Sequence, residues 1–159
     1  MKPLVACAAV LSLSLCSMMA VQAAPPFSLA RPSEHQLNWQ SNLQAAHRQA
    51  VSENKPMLLV FGADWCHFCK KLEKETLNSN EMAKYINSEF VPIHLDTDKD
   101  KKVAEILKVS SLPCSIVLSP NADLLGRIEG FHTTAPFHKQ LAAAKQRLQI
   151  VQRTSSSSQ

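Results

Sequence analysis

Trp39, Leu43, Ala46 and Ala50 recur at spacings of four, three and four, which predicts one face of a helix ended by Asn54-Lys55-Pro56. Met57 to Phe61 is an unbroken apolar run of strand length, the pattern of a central strand covered on both faces. Gly62 to Trp65 then turns the chain, and Cys66 opens a helix through Leu72 and Thr76. Asn78 or Ser79 is suited to cap a further helix with Met82 and Ile86 inward. Phe90 to Leu95 reads as a second strand, and Asp96-Thr97-Asp98 precedes a helix bearing Val103, Ile106 and Leu107. Cys114 to Leu118 is a third strand after Pro113, with a turn at 120–123 and Leu124 to Glu129 as its hairpin partner. Phe137, Leu141, Ala144 and Leu148 again step by four, three and four along a final helix. Strands separated by helices predict parallel pairing, and the closing hairpin adds an antiparallel edge. The expected fold class is α/β, three layers, with a mixed central sheet flanked by helices.

The first 23 residues follow a different rule. Lys2 gives a positive start, Leu4 to Val21 carries no charge, and Val21-Gln22-Ala23 has the slim residues of a signal-peptidase site. Ser12, Ser14 and Ser17 interrupt the run, which favours a cleaved signal over an uncleaved anchor, and Leu15 ahead of Cys16 does not suit a lipoprotein. Residues 1–23 are therefore read as a signal peptide, 24–34 as a linker, 35–151 as the domain and 152–159 as a disordered polar tail with nothing to bury.

Composition narrows the function classes. At 159 residues the chain holds about one domain. Its 17 basic and 13 acidic residues form no basic run longer than two, so nucleic acid is not the expected partner. Cleavage would remove Cys7 and Cys16, leaving Cys66, Cys69 and Cys114, an odd number that does not suit a purely structural disulfide framework. In an oxidising compartment, a close pair can instead open and close during work.

The chemistry concentrates at Trp65-Cys66-His67-Phe68-Cys69-Lys70. A cysteine at a helix N-terminus meets unpaired N–H groups and the positive end of the macrodipole, which favour the thiolate. Two intervening residues bring the second sulfur one turn away, close enough to resolve a mixed disulfide. Cys66 is thus the expected attacking thiol and Cys69 the resolving one. A protonated His67 would stabilise the thiolate further, and Lys70 would add positive potential beside it, though Lys70 and Lys71 also suit a solvated helix face.

The run from Phe61 to Lys70, together with Leu112-Pro113 and Arg127-Ile128-Glu129-Gly130 downstream, resembles the thioredoxin superfamily over roughly Gln36 to Leu148. The entry Asn54-Lys55-Pro56 and the approach Ala63-Asp64-Trp65-Cys66 look most like exported members, such as the reducing C-terminal domain of the inner-membrane thiol:disulfide interchange protein. The resemblance implies a thioredoxin-like fold and a thiol–disulfide oxidoreductase without a cofactor. It implies a cis peptide bond at Leu112-Pro113, a backbone at Leu112 that pairs with substrate peptide, and Trp65 packed beside the cysteines. Expected partners are protein thiols and disulfides or a membrane redox protein, met by a periplasmic or secreted monomer with no membrane span after signal cleavage.

Four positions depart from the family pattern. Reductases of the family commonly carry a buried carboxylate six residues before the first cysteine, and here that residue is Val60. Asp64 is nearer but suits an exposed turn, Ser111 stands where many members have glycine, and His67-Phe68 matches neither thioredoxin nor the disulfide isomerases. The flanks favour a reductase, whereas Val60 and His67 pull the other way; the reading adopted is a reductase. Cys114 reads as a small buried strand residue or as a third thiol near Cys66. The second function considered is a soft-metal protein holding Cu(I) or Zn through Cys66, Cys69 and Cys114, with His67 as a fourth ligand. His35, His47, His94, His132 and His138 read as ordinary surface or core histidines.

Overall fold

The computed structural model of the protein describes residues 36–156. The expected signal peptide, linker and His35 lie outside them, as do residues 157–159. The elements run α1 (Leu43–Glu53), β1 (Met57–Gly62), α2 (His67–Leu72), α3 (Asn80–Glu89), β2 (Val91–Asp96), α4 (Lys101–Ile106), β3 (Cys114–Leu118), β4 (Leu124–Glu129) and α5 (Thr134–Ser156), with a π-helical segment at Glu73–Leu77 continuing α2. The strands form one mixed sheet in the order β2-β1-β3-β4.

Strand alternation splits the core in two. Leu58 and Val60 of β1 face a layer built by Leu72, Met82, Ile86, Phe137 and Leu141. Met57, Leu59 and Phe61 face the opposite layer with Ala46, Ala50 and Ala104. The all-apolar run of β1 is thus explained: every one of its residues is buried between helices. Among the described residues, no helix is long and apolar enough to cross a membrane.

Three expectations are corrected. The first three strands are not all parallel: β1 pairs with β2 in parallel but with β3 antiparallel, Phe61 opposite Cys114. Six residues of α4 rise only about 9 Å, too little to return the chain along a strand before β3 begins. That reversal starts β3 at the end of the sheet where β1 finishes, and so brings Pro113 towards Cys66.

Trp39 does not begin the first helix. Asn42 caps α1, its side-chain oxygen accepting the Ala45 N–H at 2.8 Å. The residues before it run extended, with the Gln40 N–H donating to the Pro92 carbonyl, and Trp39 packs on the other core layer. On α4, Ala104 is the buried residue and Ile106, at its end, is 68% exposed. Residues 152–156, expected in a disordered tail, continue α5 as helix. The Thr154 hydroxyl bonds the Ile150 and Val151 carbonyls, and Gln152 Nε2 reaches Asn54 Oδ1 at 2.9 Å, so the last turn has partners that its polarity does not announce.

Candidate active site at the end of the first strand

β1 delivers the chain to Gly62, and the turn closes with the Cys66 N–H on the Ala63 carbonyl at 3.0 Å. Cys66 is the N-cap of α2: its backbone is extended, and its sulfur accepts the Cys69 N–H at 3.1 Å. The two cysteines are joined as a disulfide, their Cα atoms 5.3 Å apart across one helical turn. Each is only 5% exposed. The same N–H that meets the Cys66 sulfur here is placed to meet its thiolate after reduction.

Around this small opening the side chains are exposed. Trp65 is 70% and Phe68 56% exposed, and the rings of His67 and Phe68 meet edge to face at 5.7 Å. Lys70 lies exposed on α2. Trp65 is therefore not a core aromatic. It is held instead by its indole N–H, which donates to Asp98 Oδ2 at 2.9 Å. The turn carrying Asp98 is itself braced, since the Asp98 N–H and the Lys99 ammonium hold the Asp96 carboxyl below its ordinary range. Trp65, Cys66, His67, Phe68, Thr97 and the segment Val109–Leu112 line a cleft of about 400 Å³.

The far wall of that cleft comes from the start of β3. Leu112 packs on the small cluster of Ala63, Cys66 and Cys69, and the Leu112–Pro113 peptide bond is cis. The Pro113 carbonyl accepts the Gly130 N–H at 2.8 Å, and Arg127 bonds the Leu107 and Lys108 carbonyls, fixing both ends of the segment to β4. Asp64 is exposed in the turn, and Val60 is buried among aliphatic side chains, so neither sets a carboxylate beneath the disulfide.

Cys114 is not a third sulfur of this group. It sits opposite Phe61 in the register and packs in the core layer across the sheet from Val60, with Arg127 Nη1 at 3.6 Å from its sulfur. Burial pushes its thiol above the ordinary value of 9.0, and the nearby Arg127 guanidinium offsets only part of the effect. Among the described residues, no group of three or more His, Cys, Asp or Glu is arranged to hold a metal ion, so Cys66, Cys69 and Cys114 do not form the soft-metal set. Two outcomes follow for Cys114. In native protein near pH 8, alkylation by iodoacetamide is expected to be roughly a hundredfold slower than in denaturant, read by mass spectrometry. Labelling at the denatured rate would contradict the burial. Because the folded state holds this proton more tightly, its contribution to stability is complete below pH 9.0 and is lost as the pH rises towards the folded value.

The residues that sequence reasoning missed lie underneath. His94 stands opposite Val60 in the β1–β2 register, on the sheet face that α2 covers. Its Nε2 is 2.9 Å from Glu73 Oε1, and its ring meets the edge of Trp39 at 5.8 Å. A Cβ added to Gly62 would lie 3.2 Å from His94 Nε2 and 3.5 Å from Cys69 Cβ, so the absent side chain lets ring and cysteine approach one another. The one sequence signal was a histidine at an otherwise apolar strand, two residues before Asp96. The other histidines have local partners: His47 bonds the Pro120 carbonyl, His132 the Glu129 carbonyl, and His138 stacks on Tyr85.

Residues 43–145 match the family described as thioredoxin-like domain. The chain is 30% identical over 105 residues to the thioredoxin-related protein DsbJ of Chlamydia pneumoniae, covering 58% of this chain and 30% of that one. It is 32% identical over 103 residues to the thiol:disulfide interchange protein DsbD of Vibrio cholerae, covering 61% of this chain and 17% of that one. It thus spans less than a third of the length of either relative. Among solved structures, the DsbH oxidoreductase superposes with a TM-score of 0.65 at 20% identity, over 73% of this chain and 90% of that one, which shows the fold. The family match spans more than half of the chain and leads to one conclusion: the chain belongs to the thioredoxin-like domain family.

Proposed function

We propose that the chain is an exported thiol–disulfide oxidoreductase that reduces disulfides in protein substrates or in a redox partner. The observation that carries the reading is the Cys66–Cys69 pair capping α2 at the mouth of an open cleft, with Leu112 and Pro113 across from it. In the reduced form the Cys66 thiolate attacks one sulfur of a substrate disulfide. A Cys66–substrate bond forms, the substrate disulfide breaks, and the other substrate sulfur leaves as thiolate. Cys69 then attacks the Cys66 sulfur, closing Cys66–Cys69 and expelling the remaining substrate thiolate. Substrate gains two electrons, the protein loses two, and a dithiol donor restores it.

Trp65, Phe68 and Leu112 give the cleft an apolar lining that suits an extended peptide with an apolar side chain beside its cysteine. Lys70 adds positive charge on α2 near the thiolate, which favours the attacking form, and a protonated His67 would add to it. Export is supported by the charge-free apolar segment and small-residue site within 1–23. The similarity to a protein named as a thiol:disulfide interchange protein supports the partner class. The monomeric state is part of the same reading. The test is reduction of insulin with dithiothreitol as donor: the protein is expected to accelerate precipitation of the freed chains, and a rate equal to dithiothreitol alone would reject the activity.

A further inference from the structure

Resolution requires the Cys69 thiol to lose a proton while it is 5% exposed, and neither Val60 nor Asp64 is able to take it. We propose that His94, oriented by Glu73, is the residue that exchanges a proton with Cys69; the inference rests on Cys66–Cys69 being the working pair. Three observations converge. His94 stands beside Val60 on the face under α2, one strand from the position where a carboxylate would serve. The ring and Cys69 Cβ both lie within 3.5 Å of the point where Gly62 lacks a side chain, so they face one another across a gap of methyl size. Glu73, one turn beyond Cys69 on the same helical run, holds Nε2 from the other side at 2.9 Å. The groups packed against the ring are Glu73 and Cys69 from the helix, uncharged Gly62 and Val60 from β1, and uncharged Trp39 from the segment before α1. With 37% of its side chain exposed, His94 also touches solvent, where the proton comes from and goes.

The steps balance as follows. Cys69–SH passes its proton to the His94 ring, and the Cys69 thiolate attacks the Cys66 sulfur of the mixed disulfide. The Cys66–Cys69 bond forms, the Cys66–substrate bond breaks, and the substrate thiolate takes a proton from water. His94 then carries a proton on each ring nitrogen, the Nε2–H donated to Glu73 as in this oxidised structure and the added proton on the other, and later releases the added proton to solvent. When a donor thiolate attacks Cys66, Cys69 leaves as thiolate and regains a proton from His94. Glu73 is a positioning residue: it acts through the ring.

The test follows the reduced mature form, without the proposed signal at residues 1–23 and carrying Cys114→Ala to leave two thiols, as it reacts with 5,5′-dithiobis(2-nitrobenzoate) in a stopped-flow instrument. The first equivalent of thionitrobenzoate reports attack by Cys66 and the second reports resolution by Cys69. His94→Asn is expected to slow the second phase about tenfold near pH 6.5, yet less than about twofold near pH 9.5, where a thiol ionises unaided. The first phase is expected to stay within about twofold of wild type. Glu73→Gln is expected to shift the second phase in the same direction by a smaller factor. Should His94→Asn fail to fold, Gly62→Ala decides by the same criterion, because its methyl group separates ring from cysteine. A second phase whose ratio between the two pH values matches wild type overturns the inference, and so does a slowing equal at both. A wild-type protein with no rapid first phase would reject the thiol-exchange reading, and the inference with it.

Discussion

Replacing Cys66 by serine is expected to abolish insulin reduction, by roughly 10³-fold or more, while leaving the fold intact. A serine hydroxyl does not ionise at neutral pH, so the helix N-terminus and the Cys69 N–H have no anion to stabilise. Cys69→Ser is expected to act differently. Attack by Cys66 still occurs, but nothing follows to release the substrate, so a covalent adduct accumulates. Non-reducing gels or mass spectrometry would show it, and dithiothreitol would remove it. The two variants separate the roles assigned to the pair, and Cys114→Ala supplies the control. Its sulfur lies in the opposite core layer, so neither turnover nor adduct is expected to change. An adduct formed by Cys66→Ser, or its absence from Cys69→Ser, would reverse or dissolve the assignment.

The second large effect is on stability. Phe61 is fully buried, stands between Leu95 and Cys114 in the sheet, and is the last large side chain before the turn to Cys66. Phe61→Ala is expected to cost about 3–5 kcal/mol, the sum of lost transfer energy and a cavity that the flanking strands are unable to close. Against a total of about 5–15 kcal/mol for a domain, that is a loss of roughly a fifth or more. A urea titration reads it as a lower midpoint with an unchanged slope. Phe68→Ala is the informative contrast: the ring is 56% exposed, so a shift within about 0.5 kcal/mol is expected although the same residue type is removed a few positions away. Equal losses at both positions would contradict the burial pattern.

These contrasts show what was legible beforehand. Local signals carried β1, β3 and β4 almost to the residue, because an unbroken apolar run or a Pro-Asn-Ala-Asp turn needs no distant partner to be read. Cys66 as the first capped position of α2 was equally local. The direction of β3 was not legible, since it depends on whether a six-residue helix is able to span the sheet, a length that periodicity does not measure. Trp39 misled for a related reason: its spacing fits α1, but the side-chain oxygen of Asn42 sets the start. At the site, the cysteines and Leu112-Pro113 were readable as residue types. His94 and Glu73 were not, because 21 positions of chain separate them and only the β1–β2 register and the missing side chain of Gly62 bring them to Cys69. Trp65 was readable as a neighbour of the cysteines and not as a partner of Asp98, 33 residues away.

The central claim is that Cys66 and Cys69 form a couple poised to give electrons. Equilibrating the Cys114→Ala mature form, without residues 1–23, with dithiothreitol and glutathione buffers, and counting free thiols by mass shift after acid quench, measures that poise directly. The account predicts one two-electron transition near about −270 mV, the range of a reductant, assigned to Cys66 and Cys69. A transition near about −120 mV, or a pair that stays oxidised across the whole range, would contradict it.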